Sequence, residues 1–159
     1  MMNVKETKEI DVKVLEKIHK QCFEEAWPAD SFAKLLSQDV FHCIVAEEEN
    51  SIRGFLIYGL IKDEAEIITN CVLPEFRKQG IGKLMLQNLE DNVKQESVKK
   101  IYLEVAVNNF IAIALYQKMN FEKISQRKKY YLQKDGSFID AFVMQKEIQF
   151  EKIFFYNRL

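Results

Sequence analysis

The chain has 159 residues, 48% of them hydrophobic and 30% charged, which suits one globular domain whose core needs no disulfide or metal to hold it. Its 23 Lys and Arg against 24 Asp and Glu leave a net charge of −1, which excludes a protein built on a large basic field for nucleic acid or an anionic membrane. Three dispersed cysteines (Cys22, Cys43, Cys71) and two histidines form neither a metal-ligand spacing nor a disulfide framework, so no metal site and reduced thiols are expected. The opening MMNVKETKEIDVK lacks the apolar core of a leader, and no apolar run nears the roughly 20 residues of a membrane span; a cytoplasmic protein is expected.

A short strand is expected first. Helical spacing of Val12, Leu15 and Ile18 or Cys22 then predicts a helix capped by Asp11 and broken at Trp27-Pro28. Ala29-Asp30-Ser31 restarts a second helix carrying Phe32, Leu35 and Leu36. Three strands follow, Phe41–Glu47, Ser51–Lys62 and Ala65–Leu73, with turns at Asn50-Ser51 and Lys62-Asp63-Glu64. Connections this short predict an antiparallel meander, and Pro74 ends it.

The period then changes. Ile81, Leu84, Met85, Leu89 and Val93 mark a helical face over about 79–94, and Ile101, Leu103, Val105 and Val107 mark one side of a strand over 100–107. Asn108 or Asn109 caps a helix to about Met119, and strands at 121–131 and 137–148 are joined by the turn Lys134-Asp135-Gly136. The expected order is β-α-α-β-β-β-α-β-α-β-β, an α/β (α+β) fold in one domain over 1–149. The tail 150–159, with Phe154, Phe155 and Tyr156, lies beyond it as a candidate dimer contact, and the oligomeric state stays open.

Only five glycines serve the chain, and Gly80 and Gly82 open the third helix behind Arg77, Lys78 and Gln79, with Ile81 between them and Lys83 after. A glycine-bearing helix start offers free N–H groups and a positive dipole end to an anion, most naturally a phosphate, and the basic side chains reinforce it. A P-loop would need Gly at Arg77 and Ser or Thr at Leu84; a dinucleotide fingerprint would need a preceding parallel βαβ unit.

The R-x-x-G-x-G spacing after a strand ending in V-x-P resembles the pyrophosphate motif of the GNAT superfamily of N-acetyltransferases. The set Leu103-Glu104-Val105, Asn109, Ala112-Ile113-Ala114-Leu115-Tyr116 and Phe121 resembles its bacterial ribosomal-protein-alanine N-acetyltransferase branch, over roughly residues 3–148. The resemblance implies a central mixed, mostly antiparallel twisted sheet flanked by helices, and acetyl-CoA as donor. It implies a protein N-terminal amine as acceptor, most specifically the N-terminal alanine of a small-subunit ribosomal protein. A protein lysine, a small amine, or a silent acyl-CoA-binding module remain alternatives.

By the same resemblance Glu104 is the proton acceptor and Tyr116 the donor to the departing thiolate, with Asn109 on the helical face of Tyr116. Backbone N–H groups near Asn70, Cys71 and Val72 would hold the thioester oxygen. Arg77, Lys78, Gln79, Gly80, Ile81, Gly82 and Lys83 would hold the cofactor phosphates. Glu66 matches the catalytic glutamate of histone-type lysine acetyltransferases and is the competing base. Departures from the branch pattern are Ala106 where an arginine is usual, Asn120 for a glycine, and Leu132 after the retained Tyr130-Tyr131. Trp27 and Phe32 match a W-x-x-x-x-F near the acceptor entrance.

Overall fold

Residues 1–149 are described by a computed structural model; the aromatic tail at 150–159 lies outside the described residues. The strands are β1 (Asn3–Thr7), β2 (Phe41–Glu48), β3 (Ser51–Ile61), β4 (Glu64–Val72), β5 (Lys100–Ala106), β6 (Glu122–Leu132) and β7 (Phe138–Glu147). The helices are α1 (Val12–Cys22), α2 (Ala29–Leu36), α3 (Ile81–Gln95) and α4 (Phe110–Lys118), with one 3-10 turn at Pro74–Phe76. The element order is the one the periodicity predicts.

Caps fix where helices begin. The Asp11 carboxylate accepts from the Lys13 N–H at 2.9 Å, and Asn109 Oδ1 accepts from the Ala112 N–H at 3.2 Å. Two local expectations need correction. α1 ends at Cys22 rather than at Trp27-Pro28, because Phe23 leaves helical geometry and gives its N–H to the His19 carbonyl. The first hairpin turns on Glu49-Asn50 rather than Asn50-Ser51, both residues having positive φ as a tight primed turn requires.

The seven strands form one sheet in the order β1-β2-β3-β4-β5-β7-β6, with β4–β5 parallel and every other pair antiparallel. β7 returns between β5 and β6, so the last hairpin is anchored on β5 by its second strand. One face is covered by α3 and α4, where Met85, Leu86, Leu89, Val93, Tyr116 and Met119 pack on Ile101, Leu103 and Val105. The other is covered over β2–β4 by α1 and α2, where Leu15, Ile18 and Phe32 pack on Val45, Phe55, Ile57 and Cys71. Two buried layers, one per sheet face, hold the fold.

Candidate active site

The site begins where β4 and β5 part. Their ladder runs from Glu64↔Lys100 to Ile67↔Leu103 and stops, although β4 continues to Val72 and β5 to Ala106. The β3–β4 register shifts at the same point, from Tyr58↔Ile67 to Ile57↔Thr69, so Ile68 is an inserted bulge residue. The bulge reverses which face each later side chain takes. Ala65 and Ile67 pack with α3 and α4, whereas Ile68 and Cys71 pack with α1, and Asn70 now faces α4.

Beyond the bulge, β4 has one edge on β3 and one edge open. Leu73 gives its N–H to the Arg53 carbonyl of β3 at 2.9 Å, so by alternation Cys71 also turns its amide to β3, and Asn70 and Val72 turn theirs to the open edge. The Val72 carbonyl accepts from Arg77 Nε at 3.0 Å and from the Cys22 thiol at 3.4 Å, which ties that end of the strand to the next loop and to α1. Of the three expected oxyanion donors, Asn70 and Val72 face the parting and Cys71 does not. The Cys71 side chain is buried beside Cys22.

At the start of α3, Gly80 is the N-cap with φ 82°, and it offers no side-chain cap to the first helical amides. A Cβ added at Gly80 would meet nothing within 4 Å, so the helix end opens to space. The first intrahelical bond recorded there is Leu84 N–H to the Gly80 carbonyl, which leaves the N–H groups of Ile81, Gly82 and Lys83 for a ligand. The Ile81 side chain is buried in the core, so only its backbone can serve. Arg77, Lys78, Gln79 and Lys83 are exposed around the same end. Gly82 has a different reason to be glycine: a Cβ there would lie 2.8 Å from Leu115 Cδ2, so its absence lets α4 pack close beside the cradle. An uncapped, open helix start with three free amides and flanking cations fits a phosphate group.

Two side chains reach the parting from opposite faces of the sheet. Tyr116, on α4, is buried, and its hydroxyl accepts from Asn70 Nδ2 at 3.3 Å across the gap. Burial raises its pKa, so the phenol stays protonated and keeps its own hydrogen to donate. Asn70 Oδ1 is buried with no hydrogen-bond partner among the described residues. Asn109 shares the Tyr116 helical face, but its Oδ1 is committed to capping α4.

Glu104 occupies the other face of β5. Arg127, from β6, places Nε 3.0 Å from Glu104 Oε1. Sequence reasoning missed this arginine. It notes that Ala106 stands where relatives carry Arg, yet Arg127 pairs with Ala141 and Ala141 with Ala106, one cross-strand row. Two small residues in that row let the guanidinium cross β7 to Glu104. The Tyr130 phenol faces the same carboxylate, whose hydrogen bond, assisted by burial, raises the phenol's pKa. The Tyr131 hydroxyl donates to the Glu104 carbonyl at 3.3 Å. Glu66, one strand away, has its pKa raised by partial burial and by the charge of Glu104, with Arg127 opposing. The structure thus brings Glu104, Glu66, Arg127 and Tyr130 together on the side opposite Tyr116, with the Tyr131 hydroxyl at the β5 backbone between them.

His19 links the α1–α2 loop to the bulge. Trp27 N–H donates to His19 Nδ1 at 3.1 Å, which assigns the ring hydrogen to Nε2, 3.3 Å from Thr69 Oγ1. Trp27 and Phe32 pack with centroids 5.5 Å apart, both against that imidazole. Among the described residues no group of three His, Cys, Asp or Glu is placed to hold a metal, and no helix is long and apolar enough to cross a membrane.

A parted parallel strand pair, a bulge and a glycine-started helix beside the gap are the architecture of an acyl-transfer fold. The chain belongs to the acetyltransferase (GNAT) family, whose model matches residues 12–121, and it is an N-acetyltransferase. It is 30% identical over 151 residues to an N-alpha-acetyltransferase of Saccharolobus solfataricus, covering 87% of this chain and 88% of that protein. The crystal structure of the ribosomal-protein-S18-alanine N-acetyltransferase from Escherichia coli superposes with TM-score 0.87 at 26% identity, covering 98% of this chain and 99% of the other. Arabidopsis thaliana NAA60 in complex with acetyl-CoA shares the fold, with TM-score 0.83 at 20% identity over 93% of this chain and 99% of that one.

Proposed function

We propose that the protein acetylates the N-terminal amine of a protein with acetyl-CoA as donor, and that the N-terminal alanine of a small-subunit ribosomal protein is the acceptor to test first. The observation that supports this reading is the parting of β4 from β5 after Ile67↔Leu103, beside an open helix start, with Glu104 next along β5 on one sheet face and Tyr116 bonded to Asn70 of β4 on the other. Bound acetyl-CoA would supply the thioester, its phosphates at the Gly80–Lys83 amides and the side chains of Arg77, Lys78 and Lys83.

The residues of the chain divide the remaining work. The Val72 N–H, on the open edge of β4, donates to the thioester oxygen. Glu104 takes the proton that the acceptor amine must lose, and Arg127 and Tyr130 hold its carboxylate in place. Tyr116 gives its hydroxyl proton to the sulfur as the C–S bond breaks and the C–N bond forms. An α-amine, with a pKa of about 8, needs only a modest base, whereas a lysine amine at about 10.4 is almost wholly charged at neutral pH. A short carboxylate path therefore suits an N-terminal acceptor better.

A second reading has its own observation. Partial burial and the charge of Glu104 raise the Glu66 pKa, so Glu66 holds a proton more tightly than an ordinary carboxylate. Comparing Glu104→Gln, Glu66→Gln and Tyr116→Phe in a thiol-release assay with an alanine-headed peptide tests the roles. About a hundredfold loss of kcat/KM is expected at Glu104 and at Tyr116, with a smaller loss at Glu66. Unchanged activity in Glu104→Gln with abolished activity in Glu66→Gln would reassign the base. Thiol release with lysine side chains or small amines but no N-terminus would overturn the acceptor class, and acetyl-CoA binding without any thiol release would leave a silent binding module.

A further inference from the structure

The bulge at Ile68 decides which side chain of β4 reaches Tyr116. Thr69, the next residue, turns to the α1 side, where its Oγ1 lies 3.3 Å from His19 Nε2. Asn70 therefore turns to the α4 side, and its Nδ2 donates to the Tyr116 hydroxyl at 3.3 Å. Ile67, before the bulge, packs with α3 and α4, so an unbulged strand would send Asn70 to the opposite face. The contact is thus made by an irregularity of the strand.

Stability does not account for an amide at this place. Its Oδ1 is buried and unpartnered among the described residues, a cost that an aliphatic side chain of the same size would not carry. What the amide does is hold Tyr116. That phenol is buried, packed edge-on against Phe121 with ring centroids 5.6 Å apart, and among the described residues Asn70 is its hydrogen-bond partner. With one lone pair of the hydroxyl oxygen taken by Nδ2, the phenol hydrogen must point away from the amide. Burial raises the Tyr116 pKa, and the Asn70 donor opposes that rise.

We propose that Asn70 is the positioning residue of Tyr116: its side-chain amide fixes the phenol hydroxyl and stabilises the phenolate left when the proton moves to the departing sulfur. The role rests on Tyr116 being the acid, as in the proposed function, and is separate from that of the Asn70 backbone. As the C–S bond breaks, the phenol O–H bond breaks with it and the proton joins the sulfur. The oxygen keeps the electron pair, and water returns a proton afterwards. A hydrogen bond to an anion is stronger than the same bond to a neutral hydroxyl, so the Asn70 contact strengthens as the transfer proceeds. An interaction that grows toward the transition state raises kcat and leaves substrate binding alone.

The test measures thiol release by the full chain with acetyl-CoA and an alanine-headed peptide. Asn70→Leu, which keeps the volume, and Asn70→Ala, which does not, are made alone and together with Tyr116→Phe. Each Asn70 variant alone should lower kcat about tenfold, with both KM values within about twofold of the native chain. Asn70→Leu should also melt within about 3 °C of the native chain, which separates lost positioning from lost folding. In the Tyr116→Phe background neither substitution should lower kcat further, because the group through which Asn70 acts is gone. Native kcat in both Asn70 variants, with the expected loss in Tyr116→Phe, overturns the positioning role and leaves the acid standing. An equal loss in both backgrounds does the same. Unchanged turnover in Tyr116→Phe overturns the acid and the positioning role together.

Discussion

His19 is the residue whose chemistry most constrains the site from outside it. Burial lowers its pKa from 6.5 to about 4, and the neutral ring is the form that accepts from Trp27 and donates toward Thr69. Between those pH values the unfolded chain binds a proton that the fold refuses. This contribution to stability is complete above about pH 6.5 and is lost as pH falls toward 4. Calorimetric melts at pH 7 and pH 5 should show a marked fall for the native chain. His19→Gln should melt lower at pH 7 yet change less between the two; an unchanged pH dependence in that variant would remove His19 as the cause. Glu104 and Tyr116 could be proposed from the sequence because the resemblance names those positions. Arg127 was not readable, because it acts across β7 and no local spacing connects it with β5.

Among the elements, the parting of β4 from β5 depends on glycines outside the ligand cradle as well as in it. Gly54 on β3 faces Val72, and a Cβ there would lie 2.8 Å from the Cys71 carbonyl oxygen, a backbone atom with little freedom to move. Gly54→Ala should cost about 2 kcal/mol in urea unfolding and reduce turnover, because it displaces the strand whose amides line the gap. Gly80→Ala should cost about 1 kcal/mol for its left-handed backbone, and its larger effect should be a raised KM for acetyl-CoA. An Ala at Gly54 with no loss of stability would show that the strands yield more than this packing allows. The order of elements was legible because each has its own period, and the three-strand meander because its connections are short. The bulges at Ile68 and at Lys128–Tyr130 were not, since an inserted strand residue has no compositional mark, and α1 ends early because Phe23 turns to extended geometry. Asn120 does take the left-handed geometry that an asparagine tolerates, with φ 68°.

For the whole molecule, the sheet divides the interior into two layers that share strands but few side-chain contacts. Ile57 belongs to the α1–α2 layer and Ile101 to the α3–α4 layer, both fully buried. Ile57→Val and Ile101→Val should each cost about 1 kcal/mol, and the double variant should cost their sum within about 0.5 kcal/mol in chemical denaturation. A clear departure from additivity would mean that the sheet transmits packing strain between its faces.

The position of the unpaired backbone has a bearing on self-association. A β-sheet tends to recruit further chains through whatever edge it leaves open. Here the outer edges are poor templates: β1 is only five residues long, and β6 is bulged and rich in lysine. The better template, the bare side of β4 beyond Ile67, is recessed behind β5 and α4. The fold thus keeps an addressable edge for chemistry without exposing it to aggregation.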